Sequence, residues 1–319
     1  MTLLLLAAAL AALFVASRIV AARVAAAYPP EGRFALIDGT RLHFTEAGPA
    51  TAPAVALIHG ASGNQADMMT SLAAPLVAAG FRVIAVDRPG HGWSERPAGP
   101  VGSDPGRQAA LIRGALRAAG VERAIVLGHS FGGAIATRLA LDHPDAVAGL
   151  VLVAPVTHPW PGGVAWYYSL AATPVIGDLF VHLIAPLAGL ARLESGVASV
   201  FSPQSAPADY VEATRVKLIL RPATFRANAQ DVARLRPHLV EQAPRLASLD
   251  VPTAIVTGDQ DDIVLTHVHS YGSARDIPWA QLTLLEGVGH APHHTHPQAV
   301  VAVVQEVAGR AGAAASSLP

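Results

Sequence analysis

The chain has 319 residues, 22 Lys and Arg against 23 Asp and Glu, and a formal net charge of −1. It is 52% apolar and only 14% charged, where soluble domains average about a quarter charged, so there is apolar surface beyond what one core uses. The length fits one large α/β domain with room for an insertion; the charge balance gives no ground for nucleic-acid binding, and the absence of cysteine excludes disulfides, thiolate catalysis and cysteine metal sites.

Residues 3–16 are an unbroken apolar run, and residues 19–27 continue it, interrupted by Arg18 and Arg23. A membrane span needs about 20 mostly apolar residues, and Arg18 lies near enough to the end to snorkel. Two readings of residues 1–27 are open. One is an uncleaved anchor; the other is a signal peptide cut near the small residues 25–27. No basic segment precedes the leucines, which favours the anchor. Arg18, Arg23, Arg33 and Arg41 all follow the run, which places the rest of the chain in the cytoplasm by the positive-inside tendency. Cleavage would instead make the protein secreted or periplasmic.

After Tyr28-Pro29-Pro30 the pattern changes. Residues 34–37 and 41–45 are strand-like around Asp38-Gly39, a hairpin turn signal. Residues 54–58 read as a buried strand, and 65–79 as a helix that stops at Gly80. Strands follow at 81–86, 124–127, 149–153, 253–257 and 281–285; helices follow at 105–119, 131–141 and 298–309. Apolar strands alternating with helices imply a mostly parallel sheet covered on both faces. Residues 157–246 break the alternation. They carry Trp160, Trp166, Tyr167, Tyr168 and Tyr210 with helical apolar spacing, and they are too long for an ordinary connection. They read as a helical lid inserted into a core made of residues 28–156 and 247–319. The alanine-rich tail after Arg310, with Ser316-Ser317, is expected to fray.

Gly128-His129-Ser130-Phe131-Gly132 is a G-x-S-x-G motif between a strand and a helix. That context makes Ser130 a candidate nucleophile on a strained turn. Small residues on either side let strand and helix approach, and the helix N-terminus lies beside developing negative charge.

From about Gly32 to Gly309 the sequence resembles the α/β-hydrolase family, because further motifs follow in that family's order. Ile58-His59-Gly60-Ala61-Ser62-Gly63 is similar to its oxyanion loop. The resemblance implies the backbone N–H groups of Ala61 and Phe131 as oxyanion donors, with His59 holding the loop. Gly287-Val288-Gly289-His290 resembles its base loop, which implies His290 among the 14 histidines. Thr257-Gly258-Asp259-Gln260-Asp261-Asp262 follows a strand, and the family's spacing implies Asp261 as the acid that orients the base, with Asp259 and Asp262 as neighbours. Asp87-Arg88-Pro89-Gly90-His91-Gly92-Trp93-Ser94 is similar to a structural turn of the family. His293, His294 and His296 crowd the base loop, but no spaced carboxylate or cysteine accompanies them, so neither a metal nor another cofactor is expected.

A serine at the elbow, where some relatives carry aspartate, suits attack on a carbonyl. The expected function is hydrolysis of a small hydrophobic ester or acyl substrate through an acyl-enzyme. Carbon–carbon bond hydrolysis and perhydrolysis with the same groups are alternatives. So is a non-catalytic, receptor-like or tethered binding protein. No sequence feature sets an oligomeric state.

Overall fold

A computed structural model describes residues 1–316. A long helix, α1 (Thr2–Ala27), comes first. The first half of the core follows as β1 (Arg33–Ile37), β2 (Thr40–Ala47), β3 (Ala54–Ile58), α2 (Gln65–Ala78), β4 (Arg82–Val86), α3 (Pro105–Ala118), β5 (Ala124–His129), α4 (Phe131–Asp142) and β6 (Val147–Val153). Helices then run without a strand through α5 (Trp166–Ala172), α6 (Ile176–Leu183), α7 (Ala185–Phe201), α8 (Tyr210–Ala213), a 3-10 turn (Val216–Leu220) and α9 (Pro222–Gln242). The chain closes with β7 (Thr253–Gly258), α10 (Thr266–Asp276), β8 (Gln281–Leu285), α11 (Pro292–Thr295) and α12 (Pro297–Ser316).

The eight strands form one sheet in the order β1-β2-β4-β3-β5-β6-β7-β8. β2 is antiparallel to β1 and β4, and every pair from β4 to β8 is parallel. Asp38 and Gly39 both take positive φ, 46° and 75°, and Ile37 pairs with Thr40. This is the two-residue hairpin loop that Asp-Gly favours.

Successive residues of a strand face opposite sides, which is why the central strands are apolar throughout. Ile58, Val86, Val126 and Leu152 pack against α3 and α4 through Leu111, Ile112, Ile135 and Leu139. Leu57, Ala85, Leu127 and Val153 pack on the other side against Met68, Leu72 and Leu76 of α2 and Val300 and Val304 of α12. The far half of α9 joins the first of these cores through Leu235 and Leu239. The order reverses between β3 and β5, so the loops after their C-terminal ends open on the crevice where parallel sheets bind ligands.

Two expectations are corrected. The helix expected at 298–309 runs to Ser316 rather than fraying after Arg310, because alanine is the strongest helix former; Ser317 lies outside the described residues. The strand expected at 41–45 spans Thr40–Ala47, since it has ladder partners on both edges.

Candidate active site

Ser130 sits between β5 and α4 with φ 52° and ψ −120°, a conformation that costs a non-glycine residue energy and is held by its surroundings. Its N–H donates to Val153 O at 3.0 Å, and its carbonyl accepts from Gly133 N at 2.8 Å and Val156 N at 3.0 Å. The turn is this tight because two positions lack side chains. A Cβ on Gly128 would lie 2.4 Å from Gly132 O, and one on Gly132 would lie 2.2 Å from Ile58 O. The start of α4 therefore abuts the end of β3.

Beyond β3, His59 Nε2 accepts from Arg88 N at 3.0 Å, which puts its proton on Nδ1, 2.8 Å from Gly60 O. Burial drives its pKa well below 6.5, so the neutral ring clamps the Gly60 loop. The N–H groups of Ala61 and Phe131, on this loop and at the first position of α4, have no acceptor among the described residues.

The loops after β7 and β8 meet through Gly258, where a Cβ would stand 1.9 Å from Val288 O. Asp259 Oδ1 accepts from Gly287 N at 2.7 Å, so Asp259 ties the two loops together, while Asp262 is exposed. Asp261 Oδ2 lies 2.7 Å from His290 Nδ1. Its Oδ1 accepts from Ile263 N at 2.9 Å and Val264 N at 2.8 Å. A carboxylate only accepts, so the His290 proton is on Nδ1 and Nε2 is left as the basic nitrogen. Ser130, Asp261 and His290 are all buried. Ser130 Oγ makes no hydrogen bond among the described residues; its turn reaches the base loop through the neighbouring His129, whose Nε2 donates to His290 O at 3.0 Å. The His129 and His290 rings are 4.9 Å apart. Burial holds the pKa of His129 well below 6.5, which keeps a second positive charge away from the base.

The histidines after His290 do have a carboxylate partner, which spacing along the chain could not reveal. Asp67 of α2 accepts from His294 Nε2 at 2.9 Å, His293 Nε2 at 3.3 Å and Tyr210 OH at 3.0 Å. Burial alone would push the Asp67 carboxyl up, but the two histidine hydrogen bonds outweigh it and hold it well below the usual range. Burial also takes His293 down to about 4. The three ligand atoms of Asp67, His293 and His294 lie within 4.8 Å of one another. A metal-bound imidazole normally donates from its second nitrogen, yet His293 Nδ1 is buried without a partner. Three donors already occupy the carboxylate, so hydrogen bonding accounts for the cluster.

The helical stretch between β6 and β7 contacts the loops of this centre with groups that no sequence motif marked. Asn228 Oδ1 accepts from Ser62 N at 2.7 Å, and its Nδ2 donates to Ser62 Oγ at 3.2 Å. Arg88 is fully buried; it pairs with Asp231 at 2.8 Å, donates to Gly60 O at 3.3 Å and lies 4.4 Å over the Phe131 ring. Burial pulls its guanidinium down to about 10, with Asp231 opposing. Asp231 also accepts from Arg96 and Gln108. On the base side, Gln204 Oε1 accepts from Gly289 N at 3.0 Å. Asp87 takes the structural part expected of its motif, accepting from Gln65 N at 2.7 Å and Trp93 N at 2.8 Å.

Residues 53–297 match the family model of the alpha/beta hydrolase fold. An uncharacterised protein of Mycobacterium tuberculosis (strain ATCC 25618 / H37Rv) is 30% identical over 87% of this chain and 81% of its own. A 2-hydroxy-6-oxononadienedioate/2-hydroxy-6-oxononatrienedioate hydrolase of Cupriavidus pinatubonensis is 28% identical over 84% of this chain and 91% of its own. The crystal structure of an esterase from Rhodococcus sp. ECU1013 superposes with a TM-score of 0.68 at 25% identity, covering 86% of this chain and 96% of that one.

Proposed function

This chain belongs to the alpha/beta hydrolase family, and we propose that it is a serine hydrolase of hydrophobic carboxylic esters or related acyl compounds, working through an acyl-enzyme on Ser130. The observation that carries this reading is the 2.7 Å bond from His290 Nδ1 to Asp261 Oδ2, on the loops beside the strained Ser130 turn. With the ring proton fixed on Nδ1, His290 Nε2 takes the Ser130 proton as Oγ attacks the carbonyl. The carbonyl oxygen becomes an anion held by the N–H groups of Ala61 and Phe131, each worth about 3 kcal/mol in the transition state. Asp261 stabilises the imidazolium, which returns its proton to the leaving alkoxide. Water then repeats the sequence on the acyl-enzyme and frees Ser130.

The helical insertion, residues 157–246, serves as a lid over this centre, and α1 serves as an uncleaved anchor. The helix has a mean hydropathy of 2.4 over its best window. Its last turns bury Ser17, Ala21, Val24 and Tyr28, and Val24 and Tyr28 share a cluster with Leu218, Ile219 and Leu220. Cleavage at residues 25–27 would strip that packing, which favours retention over removal. Arg18 and Arg23 then keep the hydrolase domain on the cytoplasmic side.

The likeness to the Cupriavidus hydrolase favours a second reading, hydrolysis of a carbon–carbon bond by the same groups. The two separate on a p-nitrophenyl ester series, short to long acyl chain, assayed with the full chain in detergent beside Ser130→Ala. Turnover lost in the variant supports the ester reading. A folded protein inert on every ester rejects it in favour of carbon–carbon substrates.

A further inference from the structure

The outer face of the lid is apolar and uncovered. Trp166 on α5, Val175 and Ile176 at the start of α6, Leu179, Ile184 and Leu190 are between 46% and 71% exposed. Single exposed apolar residues are ordinary, but a group of this size on helices that pack together marks a contact surface. From Trp166 to Ala191 the only Asp, Glu, Lys or Arg is Asp178, and it is paired with Arg226.

The position of this face relative to α1 identifies what covers it. α1 contacts α6, α7 and the 3-10 turn through a stripe at Ser17, Ala21, Val24 and Tyr28, one face of a helix at spacings of four and three. Residues 2–15 of α1, by contrast, are exposed all round; a helix that is apolar on every side needs lipid to cover it. Arg18 and Arg23 are exposed at the level of the lid contact, where a cationic side chain meets the headgroups. The lid thus meets α1 where a bilayer meets water. α6 and α7 do not themselves cross: they meet at 62°, and α6, with 8 residues, is only about 12 Å long. A bent, apolar-faced pair of this kind lies in the interface.

We infer that α6 and the first turns of α7 dock into the membrane leaflet from which α1 emerges, so that the lid draws its acyl substrates from the lipid phase. The inference rests on the anchor reading proposed above. The far end of α7 gives it functional reach. Phe201 ends the helix, and Ser202 O stands only 2.0 Å from where a Cβ of Gly289 would be, beside His290. One helix therefore joins the lipid-facing apex to the loop that carries the base.

The full chain is reconstituted in phosphatidylcholine vesicles with plain or brominated acyl chains and floated on a density gradient. The inference predicts co-flotation and quenching of tryptophan emission by brominated lipid, with the quenched part largely lost in Trp166→Phe. A second variant, Leu179→Glu with Leu190→Glu, keeps α1. It should lose about tenfold or more in hydrolysis of a long-chain ester dissolved in the vesicles, and keep its rate on a short soluble ester. A protein that floats but is quenched equally with and without Trp166, or a double variant that treats both esters as wild type does, overturns the lid docking and leaves the anchor standing. A protein that does not float overturns the anchor and the docking together.

Discussion

At the Asp261–His290 pair, polar groups have short, specific partners: a 2.7 Å bond between the two side chains and two backbone donors on the remaining carboxylate oxygen. On the outer face of α6 and α7 the situation is reversed, with apolar side chains that no other part of the described residues covers. The first region is fixed by geometry inside the protein, as catalysis by preorganised groups requires. The second is left exposed, and the docking inferred above would cover it with lipid. Between them run a few contacts, Asn228 to Ser62, Asp231 to Arg88 and Gln204 to Gly289, through which the soft region bears on the rigid one.

Breaking the rigid side should have the largest effect. Asp261→Asn would release the His290 tautomer and is expected to lower kcat about 10⁴-fold with little change in KM; steady-state kinetics on a reactive ester checks this, and a loss under about tenfold would contradict it. Next comes the buried joint. Asp231→Asn leaves the Arg88 guanidinium in the core with one fewer counter-charge, at a cost of about 3–5 kcal/mol, read from urea unfolding.

The histidine cluster sets a smaller, pH-dependent effect. His293 holds its proton only below about pH 4 in the folded protein, whereas the unfolded chain takes it up near 6.5. Stability present above pH 6.5 should therefore be lost as pH falls toward 4, on the order of 3 kcal/mol from this group. Thermal unfolding across that window should show the slope, and His293→Gln should flatten it. Smallest is Asn228→Ala, which loosens the Ala61 loop from α9. It is expected to reduce kcat about tenfold and, because the buried Asn228 is the acceptor of Ser62 N, to lower stability by about 1–3 kcal/mol; an unchanged kcat would show that this contact does not position the loop.

The sequence exposed what is local. Gly128, Gly132, Gly258 and Gly289 mark the turns because each stands where a side chain would collide with backbone, and the resemblance to the family points to the loop that holds Asp261. The two central apolar faces were legible as continuous runs. What the sequence hid is long-range. Asp67 is separated from His293 and His294 by more than 220 positions, Asn228 from Ser62 by 166 and Asp231 from Arg88 by 143. No periodicity connects such pairs: the first depends on how α11 packs on α2, and the other two on where α9 folds back over the sheet. For the same reason His129 reads as a variable residue of its motif, although its ring packs beside His290 and its Nε2 holds that residue's carbonyl.

The central claim, that Ser130 is the nucleophile activated by His290, is tested most directly by labelling the full chain with a fluorophosphonate and mapping the adduct by peptide mass spectrometry. The account predicts one adduct per chain, on the peptide containing Ser130, absent in Ser130→Ala and greatly slowed in His290→Ala. An adduct on another residue, or ester turnover that survives in Ser130→Ala, would contradict it.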